Sequence, residues 1–199
     1  MNKYKPKILI HCAALTGIRE CEDDRELAWQ VNVNGTENLV KQCERSVPKC
    51  YFVFVSTACV FHGDRGNYIE TDTPYPKNFY ALTKLLGEFI VKNSKLKKWL
   101  IARTNFAARE KWPYPKAFAD RFGTYLFADD LAKAIQNVIY SNLTGVLHIC
   151  GDRKISMFEL AQLTTPDVRP MYLSEYQGPP LTVDMSLNSK RMKPFKLSR

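Results

Sequence analysis

Glycine is sparse in this chain and badly placed for one common task. The 199 residues hold nine. No Gly-rich turn follows an early strand, because Gly17, Gly35 and Gly63 lie too far apart to make one. The sequence therefore offers no backbone cradle of the kind that, with a helix N-terminus, holds a dinucleotide pyrophosphate. Histidine is also scarce, and His11, His62 and His148 do not cluster. The six cysteines, at 12, 21, 43, 50, 59 and 150, form no C-x-x-C pair and no zinc spacing, so neither a metal site nor a disulfide framework is expected. Apolar runs never reach the ~18 residues needed to cross a bilayer. Ile8-Leu9-Ile10, after the basic start Met1 to Lys7, is too short for a signal-peptide core. The expected location is the cytoplasm, with no membrane partner. No arginine-rich helix, zinc finger or aromatic RNA-binding signature is present, so nucleic acid is not an expected partner.

What is present reads as one globular domain with a small appendage, at 45% hydrophobic and 25% charged residues. The net charge of +9 is spread along the chain, with concentrations at Lys92 to Lys98 and in the tail from Lys190 to Arg199. Most of these side chains read as solvated surface. A basic balance nevertheless favours phosphate-bearing partners such as a nucleotide cofactor or a nucleotide-linked substrate.

Four apolar runs are continuous rather than alternating, which predicts buried parallel strands. They are Lys7 to Ala14, Tyr51 to Phe61, Trp99 to Asn105 and Gly145 to Gly151. Helical spacing predicts helices over Asp24 to Arg45, Asn78 to Lys95 and Asp129 to Ser141. A capping box from Ser156 to Glu159 opens a shorter helix ending at Leu163. Asp23 or Asp24 is a plausible N-cap for the first of these helices, and Asp129-Asp130 for the third. Strands alternating with helices predict an α/β fold with a parallel sheet. Beyond Thr164 the chain becomes proline-rich and loop-dominated.

The chemistry concentrates where the second strand meets the second helix. The strand carries Ser56-Thr57, and the helix opens with Tyr80-Ala81-Leu82-Thr83-Lys84. Tyr and Lys four apart project from one helix face. A strand-end hydroxyl, a phenol and an ammonium can then converge on one carbonyl. The phenol is the candidate general acid. Its ordinary pKa of about 10 is too high for easy proton exchange near neutrality, and an adjacent ammonium is expected to lower it. Ligands of open parallel sheets bind beyond the carboxyl ends of the strands, which makes Thr104 and Asn105 further candidates. Ala13 and Ala14 are small enough to admit a ligand at the first strand end, or to pack beneath a helix. Asn32 or Asn34 reads as a relay or ligand contact, or as a packing residue. Arg109, Lys111 and Trp112 read as a diphosphate contact or, more simply, as a solvated loop with one packed Trp. His11 and His148 read as hydrogen-bonded core residues.

The order of short motifs extends this pattern. His11-Cys12-Ala13-Ala14-Leu15-Thr16 resembles the strand-end segment of the extended short-chain dehydrogenase/reductases. Asn32-Val33-Asn34-Gly35-Thr36-Glu37-Asn38-Leu39 resembles their N-V-x-G-T-x-N-L helix. Val55-Ser56-Thr57 with Val60-Phe61-x-Gly63, then Glu70-Thr71-Asp72, is similar to the dTDP-4-dehydrorhamnose reductase branch of that family. Tyr80 to Lys84 with Gly87-Glu88, Phe127 to Ala132, and Met185 to Lys190 continue it in order. The resemblance implies a partial Rossmann-type sheet of about four strands with helices on both faces, over residues 1–151. It implies a small loop-rich, substrate-binding C-terminal segment over 152–199. By the same resemblance the chain reduces a nucleotide-linked 4-keto-sugar with NADP or NAD. Tyr80, Lys84 and Thr57 would be catalytic. Ala13, Ala14, Tyr80, Lys84 and Thr104 would hold the cofactor, and Ser56, Thr57 and Asn105 the substrate. A nucleotide-sugar epimerase or dehydratase on the same scaffold, and a non-catalytic binding subunit, are the alternatives.

Two departures accompany the resemblance. Ala58-Cys59 stands where the family has Asp-Tyr. The family's front end, a strand, Gly-rich turn, helix and two further strands, has no counterpart, and the chain opens at what would be the fourth strand. The first strand is then expected at an open sheet edge. The expectation divides three ways: a fragment of a complete reductase, a chain whose sheet is completed by a homo-oligomer or a separate chain, or a non-catalytic relative.

Overall fold

A computed structural model describes residues 4–198. Residues 1–3 of the basic start and Arg199 of the basic tail lie outside the described residues. The centre is a parallel sheet of β1 (Ile8–His11), β2 (Tyr51–Thr57), β3 (Lys98–Thr104) and β4 (Gly145–His148), in the order β1-β2-β3-β4. Every residue of β2 is buried, as a continuous apolar run requires when both faces of a sheet are covered. On one face, Phe52, Phe54 and Ile101 pack with residues of α3 (Gly35–Ser46) and α4 (Phe79–Lys92). On the other, Val53, Val55, Leu100, Ala102 and Leu147 pack with Leu131, Ile135 and Val138 of α5 (Ala128–Tyr140). The result is the expected α/β sandwich around a Rossmann-like sheet.

The element ends differ from the sequence pattern for local reasons. The run predicted to reach Phe61 leaves the sheet at Thr57. The Thr57 side chain accepts the Cys59 backbone N–H at 3.1 Å and starts the 3-10 turn Ala58–Val60. A local side-chain bond of this kind competes with the strand ladder. The helix predicted over Asp24 to Arg45 is broken into α2 (Arg25–Trp29), a π turn (Gln30–Asn34) and α3, and a separate α1 (Ile18–Asp23) precedes it. Asp24 is its N-cap as expected, accepting Leu27 N–H at 2.9 Å. Asp129 and Asp130 do not cap α5. Phe127 occupies the cap position, and both acids lie in the first turn, where they complement the helix dipole.

Beyond β3 the chain builds small sheets from distant segments. Phe122–Gly123 pairs with Asp184–Met185 on one side and with Ile155–Ser156 on the other. Lys116–Phe118 pairs with Arg169–Met171. The capping box at Ser156 and Glu159 is present and opens α6 (Met157–Gln162). These segments close over Ala58–Phe61 and Tyr125 to form a separate apolar cluster. Among the described residues β1 has one neighbouring strand, β2. Ile8 and Ile10 are 44% and 46% exposed there. No helix among the described residues is long and apolar enough to cross a membrane.

Candidate active site

A cleft of about 540 Å³ opens at the carboxyl ends of β1, β2 and β3. Helix α4 forms one wall. Its N-cap is Asn78, whose side chain accepts the Ala81 N–H at 2.9 Å, as Asn does at this position. The same side chain donates to the Pro180 carbonyl at 3.0 Å and so ties the helix start to the C-terminal segment. Glu22 of α1 accepts the Phe79 N–H at 2.8 Å, satisfying another donor of the first turn.

Helix α4 lies very close to the sheet because residue 87 is glycine. A Cβ there would stand 2.6 Å from the Phe54 ring. The close approach buries Lys84, whose Nζ donates to the Val55 carbonyl at 2.8 Å and sits 4.2 Å from the Phe54 ring centroid. One turn earlier, Tyr80 is half-buried and borders the same cleft as Thr57. Thr57, Tyr80 and Lys84 therefore meet at the cleft, as the spacing predicted.

The electrostatics differ from the sequence expectation. Burial pushes the Tyr80 phenol up, opposed by the neighbouring Thr57 side chain, and Lys84 does not offset it. The phenol is thus held protonated, the state of an acid that has yet to act. Lys84 is lowered to about 8, chiefly by burial, with the Glu88 charge working in the opposite direction. His11, at the end of β1, is lowered to about 4 by burial and then by Lys84. It is neutral near pH 7 and its Nε2 is 2.9 Å from the Thr36 hydroxyl.

The other predicted residues divide. Ala14, Ser56, Thr104 and Asn105 border the cleft, whereas Ala13 is exposed and does not line it. Successive side chains of a strand alternate between faces, and the Ser56 hydroxyl accordingly donates to Glu88 at 2.5 Å. Asn105 donates to the Met185 carbonyl at 2.8 Å. The Thr104 hydroxyl is buried without a hydrogen-bond partner. Asn32 is a brace. Its amide bonds Leu15 N–H and C=O at 2.8 and 2.9 Å, and donates to Thr83 Oγ1 at 2.9 Å. It links the loop after β1 to α4, while the Asn34 side chain bonds that of Gln30 at the surface. Arg109 pairs with Asp129 and Asp130, and Trp112 packs against the cluster around Ala117. Among the described residues no group of His, Cys, Asp or Glu is arranged to hold a metal ion.

The fold also brings to this region Glu88, Arg121 and Tyr125, residues to which the motif pattern gives no role. Glu88 accepts Ser56 and pairs with Arg103 at 2.7 Å. Arg121 and Tyr125 border the cleft. Only Glu88 carried a signal, its place one turn beyond Lys84.

A family model described as the RmlD substrate binding domain matches residues 1–177. The chain belongs to this family. Proteins similar to it include dTDP-4-dehydrorhamnose reductase of Mycolicibacterium smegmatis, 27% identical over 186 residues that cover 79% of this chain and 53% of that protein. Methionine adenosyltransferase 2 subunit beta of Pongo abelii is 33% identical over 96 residues, covering 48% of this chain and 28% of that one. The chain thus spans about half or less of the length of these curated relatives. The crystal structure of dTDP-4-dehydrorhamnose reductase from Bacillus anthracis in complex with NADP superposes with a TM-score of 0.83 and 26% identity. That alignment covers 94% of this chain and 73% of the other. The family and its sheet are those the motif order implied.

Proposed function

We propose that the chain carries the catalytic cleft of an NAD(P)H-dependent reductase acting on a nucleotide-linked 4-keto-sugar. The observation that carries this reading is the meeting of Thr57, Tyr80 and Lys84 in a buried cleft beyond the strand ends. Membership of the RmlD family and similarity to an NADP-bound reductase support it.

The residues present fit the nicotinamide end of such a cofactor. Lys84 retains N–H donors beyond the one given to Val55. The orphaned Thr104 hydroxyl and the small Ala14 border the same space. The bound cofactor supplies hydride, which the protein cannot. Tyr80, held protonated beside Thr57, donates the proton to the sugar oxygen as the carbonyl carbon is reduced. Thr57 orients that oxygen. Lys84, which does not offset the burial cost of a Tyr80 phenolate, serves the cofactor side of the cleft through its remaining N–H donors. Ser56, Thr57 and Asn105 form the sugar side of the cleft, and residues 152–199 serve as the substrate segment above it.

The test is turnover of NADPH or NADH by the full chain with a dTDP-linked 4-keto-sugar, followed by nicotinamide absorbance. Wild type is expected to turn over. Tyr80→Phe should lower kcat by about 10²–10⁴-fold with little change in cofactor affinity. Equal turnover by the two proteins would exclude Tyr80 as the acid.

A second reading, a non-catalytic binding subunit, draws on the 33% identity to a protein named as a subunit. In that case the cleft binds the same ligands and no nicotinamide is oxidised with any keto-sugar.

A further inference from the structure

Arg121 is buried, at 7% exposure, and among the described residues has no carboxylate partner. Among the described residues it forms no ion pair. Its Nε donates to the Thr182 carbonyl at 2.9 Å. Its two terminal nitrogens rest on thioethers, one 3.3 Å from Met157 Sδ and the other 3.4 Å from Met185 Sδ. A thioether is a weak acceptor. An arginine burying its charge on sulfur has not been compensated by the fold, which is costly unless a ligand completes it. The nearby acid Asp184 is engaged elsewhere, by Lys154 and by the Ser186 hydroxyl and N–H.

Tyr125 supplies a second, independent observation. It is 5% exposed, and its hydroxyl is buried without a hydrogen-bond partner. Arg121 directly precedes the short strand Phe122–Gly123 and Tyr125 follows it after Thr124, near enough for the Arg121 charge to act on the phenol. Gly123 leaves the room this hydroxyl needs, since a Cβ there would lie 3.1 Å from the Tyr125 oxygen and 2.7 Å from the ring. Burial raises the phenol and Arg121 opposes the rise, so the hydroxyl is a donor near neutrality. Both residues border the cleft that holds Tyr80. A planar guanidinium fork with a phenolic donor beside it, in a site sheltered from water, matches the oxygens of a phosphate.

We propose that Arg121 and Tyr125 form an anion subsite of the cleft that takes a phosphate oxygen of a nucleoside diphosphate-linked substrate. The anion replaces the sulfur contacts of the guanidinium and satisfies the Tyr125 hydroxyl. The substrate class rests on the reductase reading above, while the anion site rests on its own geometry. Its place argues for the substrate rather than the cofactor. Arg121 is tied to the C-terminal segment through Thr182 and Met185, whereas the edge proposed for the cofactor, around Ala14, follows β1.

Calorimetric titration of the full chain with thymidine or uridine diphosphate, with inorganic phosphate and with NADPH tests this without any turnover. Wild type should bind a nucleoside diphosphate. Arg121→Gln should weaken it about 10–100-fold, and Tyr125→Phe about 3–10-fold, with NADPH affinity unchanged. Arg121→Lys, which keeps the charge but loses the fork, should fall between wild type and Arg121→Gln, and it covers the case in which the glutamine variant does not fold. Wild-type affinity for the diphosphate in Arg121→Lys and Tyr125→Phe overturns the proposal. So does a wild type that binds no nucleoside diphosphate. A loss in NADPH affinity as large as that for the diphosphate assigns the subsite to the cofactor and overturns it as well. Inorganic phosphate that binds as tightly as the diphosphate shows a free-phosphate site, again against the proposal. Diphosphate binding through Arg121 without nicotinamide oxidation upholds the subsite and removes the reductase reading. Keto-sugar reduction with unchanged KM in Arg121→Gln does the reverse.

Discussion

Glu88 and Arg103 form a buried ion pair, 2.7 Å apart, with both side chains about 95% inaccessible. Arg103 Nε also donates to both carboxylate oxygens, at 3.0 and 3.2 Å, and the Ser56 hydroxyl donates to one of them as well. The pair joins α4 to β3 one turn beyond Lys84, so it fixes the helix against the strands whose ends carry Thr57 and Thr104. Removing one partner leaves an uncompensated buried charge. Glu88→Ala is therefore expected to destabilise the fold by about 3–5 kcal/mol in urea unfolding, while the double variant Glu88→Met with Arg103→Met recovers most of that. A single-variant loss below ~1 kcal/mol would show that the pair is solvated in solution.

Lys84 places function against stability. Its folded pKa of about 8 lies below the ordinary 10.5. The folded state therefore binds fewer protons than the unfolded state between these values, and stability rises with pH through that window. Below pH about 8 the cost of burying the charge is present in full. Lys84→Met should raise stability near pH 7 by on the order of 1–3 kcal/mol and flatten the rise above pH 8. The same variant should lose turnover. In wild type, turnover should decline above pH about 8 as the ammonium deprotonates. Thermal melts and rate profiles over the same pH range check both halves, and a flat wild-type stability curve there would contradict the assignment.

His11 has the same sign of shift but a different window. Its folded pKa is about 4, against 6.5 when free. The unfolded chain takes up the proton first as pH falls, so stability present above pH 6.5 is lost progressively down to about 4. The full loss is on the order of 3 kcal/mol. His11→Asn should give a shallower acid limb between these pH values in denaturant titrations, with little change in the slope above pH 7. An acid limb identical in the two proteins would place the proton uptake elsewhere, for example on carboxylates such as Glu70, held low by hydrogen bonds from Ser189 and several backbone N–H groups against an opposing burial cost.

The sheet and the Thr57–Tyr80–Lys84 set were legible because each rests on a local regularity. Continuous apolar runs marked the strands, and four-residue spacing put Tyr80 and Lys84 on one helix face. Their order along the chain placed both beside Thr57. The breaks in the helix predicted from Asp24 were not legible, because the π turn is supported by Asn32 bonding Leu15 and Thr83, which lie 17 and 51 residues away in sequence. Tyr80's raised pKa was missed for a related reason. Spacing reports that Lys84 is near, but not how much burial the packing of α4 imposes. Arg121 and Tyr125 gave no signal at all. Their significance is an absence of partners, and that becomes visible only once Thr182, Met157 and Met185 have been folded around the guanidinium.

Gly87 is the residue on which the depth of Lys84 depends. An added Cβ would stand 2.6 Å from Phe54 Cζ, with two more ring carbons at 3.3 Å. Phe54 is 1% exposed and forms the surface beneath the Lys84 ammonium, so it has no free space to retreat into. In an exposed helix, Gly→Ala would stabilise by about 1 kcal/mol through propensity alone. Here overpacking should win, at about 1–3 kcal/mol. Gly87→Ala is therefore expected to destabilise the fold on balance. It should also lift α4 from the sheet and hydrate Lys84, moving its pKa up from about 8 toward 10.5. The pH above which turnover declines should rise with it. A variant that is more stable than wild type and keeps the same alkaline limb would show that α4 does not need glycine to reach β2.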